Sequence, residues 1–157
     1  MAVRGLDQIV KDIVTALKAD SNVKSFGKIL DRPPKAIEPK ELQEELTDDD
    51  GNVRATIIQD PTVRRFEDEA KGKYWHLYEF EAIHLLQHNE NERSHQVNRQ
   101  EVQFLMDAIE GNETIFGVPH RPEVQRTATE GVPDLVIVGD RLAHQTRISF
   151  TVEDSDV

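Results

Sequence analysis

The chain reads as α+β: an antiparallel (mixed) sheet with two main amphipathic helices packed on it, in a single domain. Three observations predict this. Leu6 to Ala19 and Val97 to Glu110 each carry apolar residues at helical spacing. Lys73 to His88, KYWHLYEFEAIHLLQH, alternates at period two and holds the only Trp and both Tyr residues. A length of 157 residues suits one domain spanning 1–157.

In the first helix Leu6, Ile9, Val10, Ile13, Val14 and Leu17 follow the i, i+3, i+4, i+7 rule, with Asp7, Lys11, Asp12 and Lys18 on the other side. Ser21-Asn22 ends it. Val23 to Leu30 is predicted as a short strand, stopped by Asp31-Arg32-Pro33-Pro34 because proline cannot donate to a ladder. Pro39 in the first turn of KELQEEL fits a short helix within Ala36 to Leu46. Thr47 to Asn52 is an acidic turn, so residues 35–51 form a short helical insertion with that turn. Val53 to Gln59 alternates as a strand, and Asp60 to Gly72 reads as charged and irregular.

The long strand Lys73 to His88 follows. His76, Tyr78, Phe80, Ala82, His84 and Leu86 share one face, which should meet the core. Trp75, Leu77, Glu79, Glu81, Ile83 and Leu85 share the other, with a carboxylate pair at its centre. Asn89 to Gln96 reads as a polar loop. In the second helix Val102, Leu105, Met106 and Ile109 share a face, and Gly111-Asn112 is a stop. Ile115 to Pro133 is loop-rich, with a strand at Val124 to Thr129. Leu135 to Val138 is a buried strand, Gly139-Asp140 a turn, and Arg141 to Val152 the closing strand. Its alternation puts Leu142, Ile148, Phe150 and Val152 on one face, with His144 and Thr146 between them.

An apolar share of 37% against a charged share of 31% predicts a thin core under much solvated surface. The formal net charge of −11 opposes general binding to DNA or anionic membranes, because phosphate neutralisation needs clustered Lys and Arg. Such an excess of acid has two readings, a surface from which DNA slides without sticking or adaptation to a high-salt habitat, and the composition does not choose between them. With no cysteine there are no disulfides, thiolate nucleophiles or Cys-based zinc sites. The opening MAVRGLDQIVKDIV has charges through its apolar pattern, unlike a signal peptide. No stretch approaches the roughly 20 apolar residues of a membrane span.

Motifs for chemistry are weak. His84 and His88 would share a helical face, but on a strand they lie about 13 Å apart, too far for one metal. Asp48-Asp49-Asp50-Gly51 looks like the start of a calcium loop. With Gly51 in the glycine slot, however, the first and last ligands would be Leu46 and Ile57, whose side chains cannot ligate. Pro133-Asp134 before an apolar run is similar to the start of a PD-(D/E)xK nuclease site. Downstream stand Glu153-Asp154-Ser155 and no lysine to complete it. No GxSxG, GxGxxG or phosphate loop is present. Glu79 and Glu81, about 7 Å apart on one strand face, read as a solvated pair. The expectation is a protein that is not an enzyme, with no catalytic residues, no metal and no cofactor.

The N-terminal helix, the short strands, the acidic turn, the strand YWHLYEFEAIHLLQ, the helix RQEVQFLMDAIE and the closing strand RLAHQTRISFTVED together resemble the tail terminator (tail completion) proteins. These belong to long-tailed phages and related archaeal viruses. The resemblance covers nearly the whole chain, and is one of pattern and length. It implies a structural subunit of the virion neck, assembled in the host cytoplasm into a homo-hexameric ring. Such a ring ends the tail tube, meets the head connector or head-closure protein, and lets viral DNA pass without specific binding. It further implies that Glu79 and Glu81, or the acids of Asp60 to Glu69, face the channel or a charged neighbour. Arg64, Arg65 and Arg147 are then candidates for intersubunit ion pairs. The alternatives are another head-tail connector or head-closure component, and an acidic DNA-mimic regulator.

Overall fold

The computed structural model describes residues 5–25, 27–32, 38–68, 73–89, 93–111, 123–125 and 135–155. Its elements run α1 (Leu6–Ala19), a 3-10 turn (Val23–Ser25), β1 (Lys28–Leu30), α2 (Pro39–Glu45), β2 (Arg54–Ile58), β3 (Thr62–Asp68) and β4 (Lys73–Gln87). Then come α3 (Ser94–Glu110), β5 (Glu123–Gln125), β6 (Leu135–Val138) and β7 (Arg141–Ser155). The fold is α+β, as the alternation and helical spacing predict.

β4 and β7 form the centre of one seven-stranded sheet. They pair antiparallel from Trp75↔Ser155 to Gln87↔Ala143. On the outer side of β4, β3 covers Lys73 to Glu79 and β2 covers Ala82 to Leu86. On the outer side of β7, β6 covers Arg141 to His144 and β5 covers Arg147 to Ser149. β1 adds to β2 in parallel, which makes the sheet mixed.

The alternation of β4 sorts the core. Tyr78, Phe80, Ala82 and His84 are buried on the face covered by α1 and α3. There Ile9, Ile13 and Leu17 of α1 and Val102, Leu105 and Ile109 of α3 meet Ile148, Phe150 and Val152 of β7. Phe80 and Phe150 are register partners, stacked with centroids 5.5 Å apart and planes 9° from parallel. A second, smaller cluster of described residues lies on the other face, at one end. It joins Leu46, Val53, Ala55, Ile57, Leu85, Val138 and Ala143, with Leu42 of α2 packed on it. β2 is therefore buried on both faces, its Thr56 and Ile58 pointing to the helices and its Ala55 and Ile57 to the second cluster.

Several expectations are corrected. Asp60 to Gly72 is not irregular where it is described: Thr62–Asp68 is a strand paired to β4. Its charges hide the alternation, and the ladder offered by β4 supplies the order that local sequence does not. Val23 to Leu30 splits into a 3-10 turn and a three-residue strand at Gly27. Gly27 has φ +77, and a Cβ there would meet the Arg54 carbonyl oxygen at 2.5 Å. Asn89 to Gln96 is not wholly loop, since α3 begins at Ser94. The last strand runs on to Ser155. The strand expected at Val124 to Thr129 is present as Glu123–Gln125, and residues 126–129 lie outside the described ones. Leu142, expected on the buried face, is 40% exposed because α3 ends its cover at His144. No helix among the described residues is long and apolar enough to cross a membrane.

The stacked pair sets a test. Phe80→Ala should lower the unfolding free energy by about 4 kcal/mol, as large-to-small changes in a closed core do. Urea denaturation measures it, and a loss below about 1 kcal/mol would contradict the packing described.

Candidate functional site

Beneath α3 a chain of polar side chains crosses the helix–sheet interface. Arg54 of β2 grips Glu101 of α3 with two donors, Nε to Oε1 at 3.3 Å and a terminal NH2 to Oε2 at 2.8 Å. Glu101 Oε1 also lies 3.0 Å from His84 Nε2, and His84 Nδ1 lies 2.9 Å from the Thr56 hydroxyl. The partners dictate the protons: Thr56 donates to Nδ1, and Nε2–H donates to the carboxylate. Burial pushes the Glu101 carboxyl up, but the hydrogen bonds from His84 and Arg54 outweigh it and hold the group below its ordinary range.

Hydroxyl, imidazole and carboxylate in this order form the arrangement used to activate a nucleophile. Accessibility decides against that chemistry. Thr56 and His84 are both 0% exposed, so no substrate can reach the hydroxyl. What the chain does is lock α3 to β2 and β4, with each buried polar group satisfied by the next.

A second polar knot lies at the start of α3. Ser94 Oγ accepts the Asn89 N–H at 2.8 Å and sits 2.8 Å from His144 Nε2 of β7, while the Ser94 N–H donates to the Asn89 carbonyl at 3.1 Å. This reciprocal pair holds Arg93 in the left-handed region at φ 52, which costs a non-glycine residue about 1 kcal/mol. The His88 and His144 rings lie 5.2 Å apart. Burial pushes the His144 imidazole down, and the charges of His88 and His95 add to this. Asn98 ties the next turn of α3 to Thr146 at 3.1 Å. Beside the knot is a cleft of about 160 Å³, lined by Asp48, Asp50, Asn52, Arg54, Ser94 and Val97 among others.

The expected surface residues lie elsewhere. Glu79 and Glu81 are half-buried on the sheet face opposite α1 and α3, beyond the reach of the second cluster. Glu79 pairs across to Thr62 and Thr151, and Glu81 to Ser149. Arg147 lies 3.6 Å from Glu81, an ion pair within the chain. The structure brings these three together as a polar strip on that face. Register places Arg64 opposite Leu77 and Arg65 opposite His76 on β3, and their side chains lie outside the described ones. Asp48 closes its hairpin turn by accepting the N–H groups of Asp50 and Asn52 on Oδ1. His84 is committed to Glu101, and His88 lies against His144. Pro133 and Asp134 lie outside the described residues. Among the described residues no group of three or more His, Cys, Asp or Glu could hold a metal ion.

Sequence reasoning missed Arg54, Thr56, Ser94, Glu101 and His144. One signal was available for Glu101: it stands four residues from both Val97 and Leu105, on the apolar stripe of α3.

Two outcomes follow from these knots. Arg54→Met should cost about 3 kcal/mol of stability, because it strips a buried carboxylate of its bidentate partner; chemical denaturation checks it. Stability should also fall with pH in two stages. The His144 pKa is lowered in the fold, so the unfolded chain binds the proton first and stability declines as pH drops below about 6.5. The Glu101 pKa is also lowered, so its contribution, complete above the unfolded value near 4.5, is lost as pH falls through the folded one. Urea midpoints at pH 7.5, 5.5 and 4 should show both stages, with the first reduced in His144→Gln.

A scan against protein-family models gives no match for this chain, and a search of curated proteins gives none either.

Proposed function

We propose that the protein is a non-catalytic structural subunit of a tailed-virus neck, a tail-terminator-like wedge that assembles into a homo-hexameric ring. The ring ends the tail tube, meets the head-closure protein and lets DNA through without holding it. The observation that carries this reading is a sheet whose second face, among the described residues, carries an apolar cluster at one end and the polar strip of Glu79, Glu81 and Arg147 beyond it, with outer strands on both sides. A ring subunit needs such edges for its two neighbours. Glu79 and Glu81 on the polar strip, with a net charge of −11, suit a wall along which a polyanion slides. Arg147 trims that charge locally by pairing with Glu81.

The absence of an enzyme's role is part of the proposal. The one hydroxyl–imidazole–carboxylate chain among the described residues is sealed, and its purpose in this reading is rigidity. A ring under the pressure of packaged DNA benefits from a helix layer that cannot slide on its sheet.

Particles of the virus that encodes the protein provide the test. Glu79→Lys with Glu81→Lys should leave the fold intact and sharply reduce infectious titre, through failed ring assembly or stalled DNA. Sedimentation of the unaltered protein, alone at high concentration and with tail tubes, should show a species about six times the 17.9 kDa subunit. A monomer under every condition, or full infectivity of the double variant, would sink the reading.

A further inference from the structure

We propose that β3 and the β6–β7 hairpin are the two halves of one head-to-tail contact between copies of this chain. Val63 of one copy packs beside Ile137 and Leu142 of the next. This deepens the ring reading and rests on it.

A lone exposed aliphatic residue is ordinary; what singles these out is their placement. Ile137 is 75% exposed, Val63 47% and Leu142 40%. Val63 is the register partner of buried Tyr78, and so lies on the helix-covered face of the sheet. Ile137 is the register partner of Leu142, which shares the parity of buried Ile148 and Phe150 and lies on that same face. These three side chains therefore stand on one face of one sheet, Val63 on one outer strand, Ile137 on the opposite one and Leu142 beside Ile137 on β7. Joining those outer strands into a continuous sheet sets the side chains side by side without turning either copy over.

Strand direction agrees. β3 runs antiparallel to β4, as does β7, and β6 runs antiparallel to β7. A β6 edge laid against a β3 edge is thus an antiparallel pair, whose ladder is slightly more stable per residue than a parallel one. The two edges lie at opposite ends of the β4–β7 ladder, so successive sheets are staggered. A closed ring takes up such a stagger by tilting its strands, as closed barrels do.

Closure selects this pairing over a twofold one. The edge strand TVRRFED carries two arginines and two acids, so its charge is balanced and does not forbid like edges from meeting. A twofold contact of like edges ends at a dimer, whereas a contact of unlike edges is the kind that closes into rings.

The chain has no cysteine, so introduced thiols report the contact cleanly. Val63→Cys with Ile137→Cys should give, on mild oxidation of the assembled protein, a covalent ladder on a non-reducing gel. Each single variant should stay monomeric on that gel. Sedimentation of the same samples separates the outcomes. Assembly without a ladder overturns this pairing and leaves the ring reading standing. A lack of assembly overturns both. A covalent dimer from Val63→Cys alone means a twofold contact and overturns the pairing. As a second arm, Ile137→Glu should abolish assembly with the monomer's Tm unchanged; assembly that persists overturns the contact.

Discussion

The pairing of β4 with β7 is the constraint on which the other elements depend. The ladder from Trp75↔Ser155 to Gln87↔Ala143 matches two alternating strands so that Phe80 meets Phe150 and Ala82 meets Ile148 on one face. A slip of one residue would turn every side chain of one strand to the opposite face. It would lift the apolar floor from under α1 and α3 and bury Glu79 and Glu81. Because β4 and β7 are both long, each has room on its outer side for two short strands end to end. The edges of the molecule, and with them its candidate contacts, are set by where those short strands stop.

The polar chain from Arg54 through Glu101 and His84 to Thr56 shows how the same residue types can carry opposite meanings. In an open cleft it would be a nucleophile and its base. Here the hydroxyl and the imidazole are wholly buried, and the carboxylate is neutralised by a guanidinium that leaves no charge to relay. A buried carboxylate without partners would be very costly, and with them it is a specific lock rather than a large source of stability. The lock fixes the height of α3 on the sheet, and the Ser94–His144 knot fixes its start. Together they hold α3 to the sheet at two points.

The opposite face is built on a different rule. Among the described residues the apolar cluster covers the end near α2, and the strip bearing Glu79, Glu81 and Arg147 lies beyond it. Gly139, at φ +65, lets the β6–β7 turn tuck against Pro39 and Gln43 of α2, which carries the hairpin's outer residues away from the core. A helix layer on one side, with α3 pinned to the sheet, a polar strip on the other and outer strands at both flanks are the features on which the ring proposal rests.

The sequence by itself determined the class of fold, the two main helices, the face of β4 that is buried and the turn at Gly139-Asp140. Each is a local matter: period, propensity and backbone freedom act over a few residues. It also placed Glu79 and Glu81 on a shared face, the one turned away from α1 and α3. Only the tertiary structure decided that Thr62–Asp68 is a strand, because its order comes from β4 rather than from its own charged residues. Only the tertiary structure, too, joined Arg54, Thr56, His84 and Glu101. The bonded pairs among them are 17 to 47 positions apart along the chain, and nothing local says which polar group meets which until the strands and α3 are brought together. Burial converts such residues from surface to lock, and burial is a property of the packed sheet and helices, which no single stretch contains.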